Sequence, residues 1–266
     1  MSTKDWQGLL FMNDLHILIG KKLKKDPKLE IFNINFNDKK IWIKKARKTG
    51  SNVFHKFVYA LNKNPLLAPV EDKDAIEALH HETTKLERLY QLEIPVPKLI
   101  GIQDTYFMIE DRGPTVAHLF YHENVEDTLV LCQKIVTQLA NLHNKGEYHG
   151  ASQIKNFTYE NNKIFFIDFE ESFDNTIALE DLQFRDLFLL FFSLQKMHVD
   201  IDFVLLIDHY KQLTHKTDID KRFQILTEKV SLLMKIMHNK YIWKILDKDS
   251  KSVYAMMQQF KNLSSH

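Results

Sequence analysis

The sequence has 266 residues, of which 44% are hydrophobic, and this is enough for one substantial core or two lobes. Its 36 lysines and arginines nearly balance its 35 aspartates and glutamates, so no overall electric field favours nucleic acid as a partner. The single cysteine, Cys132, excludes a disulfide framework, and the reducing cytoplasm is therefore the expected location.

No signal peptide is evident, because the first ten residues lack a basic start followed by an apolar core. The longest apolar run, residues 187–192, is too short to span a bilayer.

A basic stretch lies near the N-terminus, where residues 14–28 contain five lysines. They form either a solvated face or a patch that binds an anionic ligand. Only Gly20 lies nearby, so this stretch lacks a glycine-rich phosphate loop.

A β-hairpin is predicted over residues 29–46, where two alternating apolar runs flank Asn37 and Asp38. Its second arm, residues 40–46, contains the run Ile-Trp-Ile-Lys with Lys44 as its last residue. An unpaired ammonium group on an otherwise buried strand is costly, so Lys44 is expected to need a carboxylate or phosphate partner. The neighbouring Lys45 is the alternative for this role.

After the hairpin, residues 47–70 contain a segment whose apolar side chains recur at helical spacing. Asn64 and Pro65 end this helical pattern. Residues 72–92 predict a second helix, whose acidic first turn suits the helix dipole. Glu82 lies within that second helix.

Two short strands are predicted over residues 99–111, and Gly113-Pro114 ends the second. Thr115 can cap the helix that follows. Residues 127–143 carry one apolar stripe, which predicts a long amphipathic helix.

A polar loop, residues 149–156, contains Gly150 and precedes a short buried strand at 164–167. Asp168 follows the strand directly, and Asn156 closes the loop. Carboxylate and amide oxygens are hard ligands, and this arrangement is one in which proteins hold Mg²⁺ beside a nucleoside triphosphate.

The C-terminal part is predicted to be helical. Residues 181–192 are almost wholly apolar, which is typical of a buried helix. Asp186 within it needs partners, because a buried carboxylate without them is very costly. Residues 201–266 predict about three further helices, and the mildly basic stretch 235–251 is a candidate for contact with a membrane surface.

The stretch HGASQIKN, from His149 to Asn156, followed by IDFE, resembles the catalytic loop and metal loop of the protein-kinase-like fold. The overall pattern is similar to RIO-type small kinases and to bacterial lipopolysaccharide core-sugar kinases. This resemblance implies an α+β, two-lobed fold in one domain, with a small antiparallel β-sheet lobe (about 1–109), a hinge (110–114) and a helical lobe (115–266).

The resemblance also implies ATP and Mg²⁺ as cofactors and assigns roles along the chain. The assignments are Lys44 for the nucleotide phosphates, Glu82 as the partner of Lys44, Met108 and Glu110 beside the adenine, Asn156 and Asp168 as metal ligands, and His149 and Asp186 as structural residues. In the family, the last of these accepts hydrogen bonds from the backbone of the catalytic loop.

Two positions depart from the family pattern. Ala151 stands where the kinase loop has the catalytic Asp, and Glu170 stands where the metal triplet has Gly. General base catalysis contributes about 10²–10⁴-fold to a rate, and an alanine supplies none of it. Either Glu170, which we include among the candidate catalytic residues, or Glu171 is expected to substitute. The alternative is an acceptor acidic enough to need little help from a base.

The resemblance favours an ATP-dependent kinase that phosphorylates a sugar hydroxyl of a lipopolysaccharide-type core, or a related hydroxyl acceptor, at the inner face of a bacterial membrane. Residues 47–70 would then either pack on the core or recognise the acceptor. One alternative is a serine/threonine protein kinase with a protein substrate. The other is a pseudokinase that binds nucleotide or a partner without turnover.

Overall fold

The computed structural model describes residues 3–51, 64–122, 127–237 and 248–261. The predicted helical pattern around residues 54–61 lies outside the described residues, as do most side chains of the basic stretch 235–251.

A four-stranded antiparallel sheet, in the order β1-β2-β4-β3, forms the first part of the fold. The strands are β1 (Ile31–Phe36), β2 (Lys39–Lys45), β3 (Leu99–Gln103) and β4 (Tyr106–Glu110). The predicted hairpin is confirmed as β1 and β2. Its turn residues Asn37 and Asp38 both have positive φ, 49° and 58°, as a two-residue turn of the type favoured in hairpins requires.

Helix α1 (Thr3–Lys25) covers one face of the sheet. Its buried Leu15 and Ile19 pack against Ile43 and Met108 of the sheet. The predictions above did not include this helix. The five lysines of residues 14–28 are exposed, which favours the solvated-face interpretation.

Helix α2 (Ala75–Gln91) confirms the helix predicted over residues 72–92. Asp74 caps its first turn in a capping box with Glu77, so two backbone N–H groups at the helix start are satisfied. The helix packs beside strand β4, where Phe107 joins the main hydrophobic core of the protein. Because neighbouring residues of a strand point to opposite faces, Phe107 and Met108 belong to different cores.

A second hairpin, β5 (Phe157–Glu160) and β6 (Lys163–Phe166), lies where one buried strand was predicted. Strand β5 was not foreseen. Gly113 in the connection after β4 has φ of 77°, and a Cβ there would collide with the carbonyl oxygen of Tyr159. This close approach requires glycine.

The remaining described chain is helical: α3 (Val116–His122), α4 (Thr128–Asn144), α5 (Leu179–Lys196), α6 (Phe203–Thr214), α7 (Ile219–Met237) and α8 (Lys248–Phe260). Asp127 caps α4, and Thr115 accepts a hydrogen bond from the backbone of His118 in the first turn of α3. Among the described helices, none has an apolar stretch long enough to cross a bilayer.

The fold is therefore α+β, with a small antiparallel sheet followed by a helical part, and the predicted α+β class is confirmed. Tilted phenylalanine rings in contact hold the C-terminal helices together. The ring of Phe223 lies 4.3 Å from that of Phe260 and 4.8 Å from that of Phe184. One ring on α7 thus joins α5 to α8.

Replacing Phe223 by Ala is expected to lower the free energy of unfolding by about 3–5 kcal/mol, because a fully buried aromatic ring is lost and a cavity remains. Urea unfolding measures the loss. Leu205→Ala is the control, since half of that side chain is exposed, and it is expected to cost less than about 1.5 kcal/mol. Equal losses for the two variants would contradict this packing.

Candidate active site

A cavity of about 630 Å³ opens between the sheet and the helical part. Its size is within the range of small-molecule sites. One end is mostly apolar and is lined by Trp42 and Ile109 among others. The other end is charged and contains Lys44, Glu82 and Asp168.

Lys44 reaches the charged end from the cavity face of β2. Its side chain donates to Glu82 Oε1 at 2.8 Å and to the carboxylate of Asp168, and it lies 3.3 Å from Glu170 Oε2. Lys45 instead donates to the backbone carbonyl of Pro27 at 2.9 Å. The structure thus distinguishes the two lysines left open by the sequence, and the expected pair of Lys44 with Glu82 is present.

Burial and close charge pairs together set the pKa values of the groups at the charged end. Lys44 is 9% exposed, and burial alone would lower its pKa, but Glu82, Asp168 and Glu170 together raise it. Burial raises the pKa of Glu82 against the pull of Lys44. Burial opposes ionisation of Asp168 too, yet the Lys44 ammonium holds the pKa of that carboxyl below its usual range. Lys44 is therefore charged at neutral pH.

Arg47 is a further cation of the cluster, and nothing in the sequence distinguished it from other basic residues. Its guanidinium donates to both carboxylate oxygens of Glu170, at 2.9 Å from Nε, and its Nη1 lies 3.4 Å from Glu30. Such a two-point pair fixes the carboxylate in one orientation. Glu170 is held by Arg47 and Lys44 together.

Asn156 lines the same cavity as Asp168. Its amide nitrogen donates to the carbonyl of Ala151 at 2.8 Å, which orients the side chain, and its backbone carbonyl accepts from Ile167 at 3.0 Å. Asp168 has a positive φ of 70°, a conformation that few residues other than glycine adopt readily. The backbone here is constrained beside the carboxylate.

Asp186 lies behind the loop and is 0% exposed. Its carboxylate accepts from the backbone N–H of His149 at 2.6 Å and of Gly150 at 2.9 Å, and it lies 3.3 Å from His143 Nε2. These contacts are the ones expected for a carboxylate that holds the loop. Burial raises the pKa of Asp186, but the interactions with His143 and the backbone hydrogen bond from His149 hold it below its usual value.

His149 is fully buried against Phe169, with ring centres 4.5 Å apart. Its Nε2 lies 3.1 Å from the carbonyl of Ile167. Burial lowers the pKa of His149 to about 4, so the ring is neutral at pH 7. It connects the loop to the segment after β6, which carries Asp168.

Glu171 lies directly against the loop. A Cβ added to Gly150 would come within 3.2 Å of the Glu171 Cβ, so the two backbones are in close contact. Arg185 donates to the carbonyl of Gly150 and, at 3.4 Å, to Glu171 Oε2. Burial raises the pKa of Glu171, although Arg185 opposes the shift.

One residue predicted to contact a cofactor lies elsewhere. Met108 is fully buried against helix α1, on the sheet face opposite the cavity, because alternation along β4 turns Ile109 rather than Met108 toward the cleft. The expectation for Met108 is wrong by one position. Glu110 does lie at the cavity, and its carboxylate accepts from the backbone of Lys98 at 2.7 Å and from Arg112.

Asp186→Ala is expected to lower the free energy of unfolding by about 3 kcal/mol or more, because it leaves two buried backbone N–H groups without an acceptor. Asp168→Asn is the comparison, since asparagine tolerates the positive φ and Lys44 keeps two other carboxylates. Its expected cost is below about 1.5 kcal/mol. Equal losses in urea unfolding would contradict this difference between the two carboxylates.

Stability is expected to depend on pH through His149. The unfolded chain takes up the proton near pH 6.5, whereas the folded protein resists it down to about pH 4. The contribution of His149 is therefore complete above about pH 6.5 and is lost as the pH falls toward 4.

Urea unfolding midpoints measured between pH 7 and pH 4 give stability as a function of pH. His149→Gln is expected to flatten this curve, and His122→Gln, at an exposed histidine, is expected to leave it unchanged. Some slope remains in every variant, because burial also lowers the pKa of His81 to about 4. A curve for His149→Gln as steep as that of the wild type would contradict the assignment.

No family model matches the sequence. A protein of Haemophilus influenzae, described as an uncharacterized protein, is 25% identical to this chain over 182 residues, which cover 66% of this chain and 69% of that protein. Among solved structures, WaaP in complex with acyl carrier protein matches with a TM-score of 0.47 and 11% identity, over 88% of this chain and 84% of that chain. Both similarities are too low to assign a family or an activity.

Proposed function

We propose that this protein is an ATP-dependent phosphotransferase, a kinase that transfers a phosphoryl group to a hydroxyl acceptor. The observation that carries the proposal is the buried Lys44, paired with Glu82 at 2.8 Å and with Asp168, at one end of a ligand-sized cavity. In kinases a strand lysine paired with a helix glutamate contacts the nucleotide phosphates. We extend the proposal to one domain with a hinge near residues 110–114.

The cluster suits a hard divalent cation. Ligand atoms of Glu82, Asp168 and Glu170 lie within 4.8 Å of one another, and among the described residues these three carboxylates pair with two cations, Lys44 and Arg47. We propose Asp168 and Asn156 as the residues that would hold Mg²⁺, with Glu82 kept for Lys44. When bound, Mg²⁺ neutralises charge on the transferred phosphoryl group and its oxygens.

The chain's own residues then supply positioning. Lys44 binds and orients the phosphates, and Glu82 fixes the direction of the lysine. Asp186 holds the loop that carries Asn156 through the backbone of Gly150. Phosphoryl transfer relies mostly on such positioning and on charge stabilisation, so a weak or absent base is compatible with turnover.

Glu171 is our candidate for the group that accepts the proton of the acceptor hydroxyl. It contacts Gly150, the residue before Ala151, and the pKa of its carboxyl is raised by burial, which brings it closer to the working pH of a general base. Glu170 remains a candidate catalytic residue, but its carboxylate is already engaged by Arg47 and Lys44. We propose that Glu170 instead balances the positive charge of Lys44 and Arg47 at the charged end of the cavity.

A second cavity of about 520 Å³ shares Arg47 and Glu30 with the first and is lined by both Glu170 and Glu171. The buried hydroxyl of Thr49 on its wall has no hydrogen-bond partner among the described residues. A polar wall of this kind suits an acceptor with several hydroxyl groups. We therefore propose a sugar of the lipopolysaccharide-core type as acceptor, as the sequence resemblance implies.

Ala151 favours a second candidate function, a pseudokinase that binds nucleotide without turnover. The buried Ala151 presents no carboxylate to a hydroxyl group. A protein kinase is the alternative within the enzyme class. The three functions differ in measurable ways.

The test measures stabilisation by ATP with and without Mg²⁺, then ADP release with deacylated lipopolysaccharide core or casein as acceptor. Turnover with the sugar is expected, and Glu171→Gln is expected to lower it by about 10²-fold or more with ATP affinity little changed. Glu87→Gln, an exposed glutamate of α2, is the control.

Each outcome separates the functions. Turnover with casein alone favours a protein kinase, and Mg²⁺-dependent binding without turnover favours the pseudokinase. Turnover that survives Glu171→Gln removes Glu171 as the base. If ATP does not bind at all, all three functions are excluded.

A further inference from the structure

The apolar end of the first cavity is lined by an indole ring. Trp42 lies two residues before Lys44 on β2, and alternation along the strand turns both side chains toward the cavity. The kinase strand signature Val-Ala-Ile-Lys has alanine at this position. This chain therefore has a large aromatic ring where the family pattern has a methyl group.

The indole is held in place. Its Nε1 donates to Asp111 Oδ1 at 2.6 Å, which ties β2 to the segment after β4. Lys40 pairs with the same carboxylate at 3.1 Å, and its ammonium lies 5.0 Å from the centre of the Trp42 ring. A ring fixed by a hydrogen bond and a cation contact loses little freedom when a ligand binds.

The Cα atoms of Trp42 and Lys44 are about 7 Å apart along the strand, and both side chains line the cavity. The cavity thus offers a flat aromatic surface next to a cationic group. A ligand that matches both has a planar ring joined to an anionic tail, which is the chemistry of a nucleotide.

Backbone donors next to the indole are already engaged. The N–H of Glu110 donates to the carbonyl of Lys98 at 3.1 Å, and the N–H of Asp111 donates to that of Lys40 at 3.2 Å. These two groups are not available to a base. Because these two donors are engaged, ring contact must contribute a larger share of the affinity for a nucleobase.

We infer that Trp42 recognises the nucleobase by stacking, and that Asp111 and Lys40 hold the indole for this contact. The inference rests on the proposed nucleotide site and adds to it the residue that distinguishes a nucleotide from a bare polyphosphate. Stacking of one base on an aromatic side chain is commonly worth about 10-fold in affinity or more.

The experiment compares two probes, ATP and inorganic tripolyphosphate, each with Mg²⁺, by titration calorimetry of the full chain. Trp42→Ala is expected to weaken ATP binding by about 10-fold or more and to change tripolyphosphate binding by less than about 2-fold. Trp42→Phe, which keeps a ring, is expected to stay within about 3-fold of wild type for ATP.

Tryptophan fluorescence is a second measurement, and it does not depend on whether the Trp42→Ala variant folds. ATP is expected to quench the wild-type tryptophan emission, tripolyphosphate to leave it unchanged, and Trp42→Phe, which retains Trp6 and Trp243, to lose the ATP effect.

The inference is overturned if Trp42→Ala leaves ATP affinity unchanged or raises it, if both probes weaken equally, or if the ATP quench persists in Trp42→Phe. If the wild-type protein binds neither ATP nor tripolyphosphate, the proposed function itself is overturned. Binding of tripolyphosphate with no gain for ATP overturns only the inference.

Discussion

A buried ammonium group is the constraint on which the cleft depends. Lys44 is almost fully removed from water, and an unpaired charge there would be very costly. Its carboxylate partners come from two distant parts of the chain, Glu82 on α2 and Asp168 with Glu170 after β6. Neutralising one charge thus requires the sheet, α2 and the second hairpin to meet at one point.

The charge of the cluster also supports our proposal that the cleft binds a polyphosphate with a metal. Removing one partner from a buried pair is strongly destabilising, whereas exchanging partners within a cluster is not. Lys44 has three carboxylates in reach, so a phosphate can replace one of them without leaving a buried charge unpaired. The carboxylate released in this way, Asp168, is the one we propose for Mg²⁺.

Much of this could be predicted from the sequence, because local patterns determined it. Alternation and the Asn37-Asp38 turn gave the hairpin, and the cost of burying Lys44 indicated a carboxylate partner. The buried Asp186 within an apolar helix likewise indicated backbone partners, and two N–H groups of the loop contact it.

What could not be predicted depends on tertiary packing. Helix α1 has a short apolar stripe among lysines, and only its contact with the sheet shows why Leu15 and Ile19 are apolar. Met108 and Ile109 are both apolar, so only strand pairing decides which one faces the cleft. Arg47 is one basic residue among many until folding brings it to Glu170.

We propose that Asp168 and Asn156 bind a metal ion beside a nucleotide held by Lys44. The most direct measurement is a crystal structure with Mn²⁺ and a non-hydrolysable ATP analogue, in which anomalous scattering locates the ion. We predict an anomalous peak about 2.2 Å from oxygens of Asp168 and Asn156, with Lys44 moved from Asp168 onto a phosphate. A nucleotide bound elsewhere, or a peak that does not contact Asp168, would contradict this proposal.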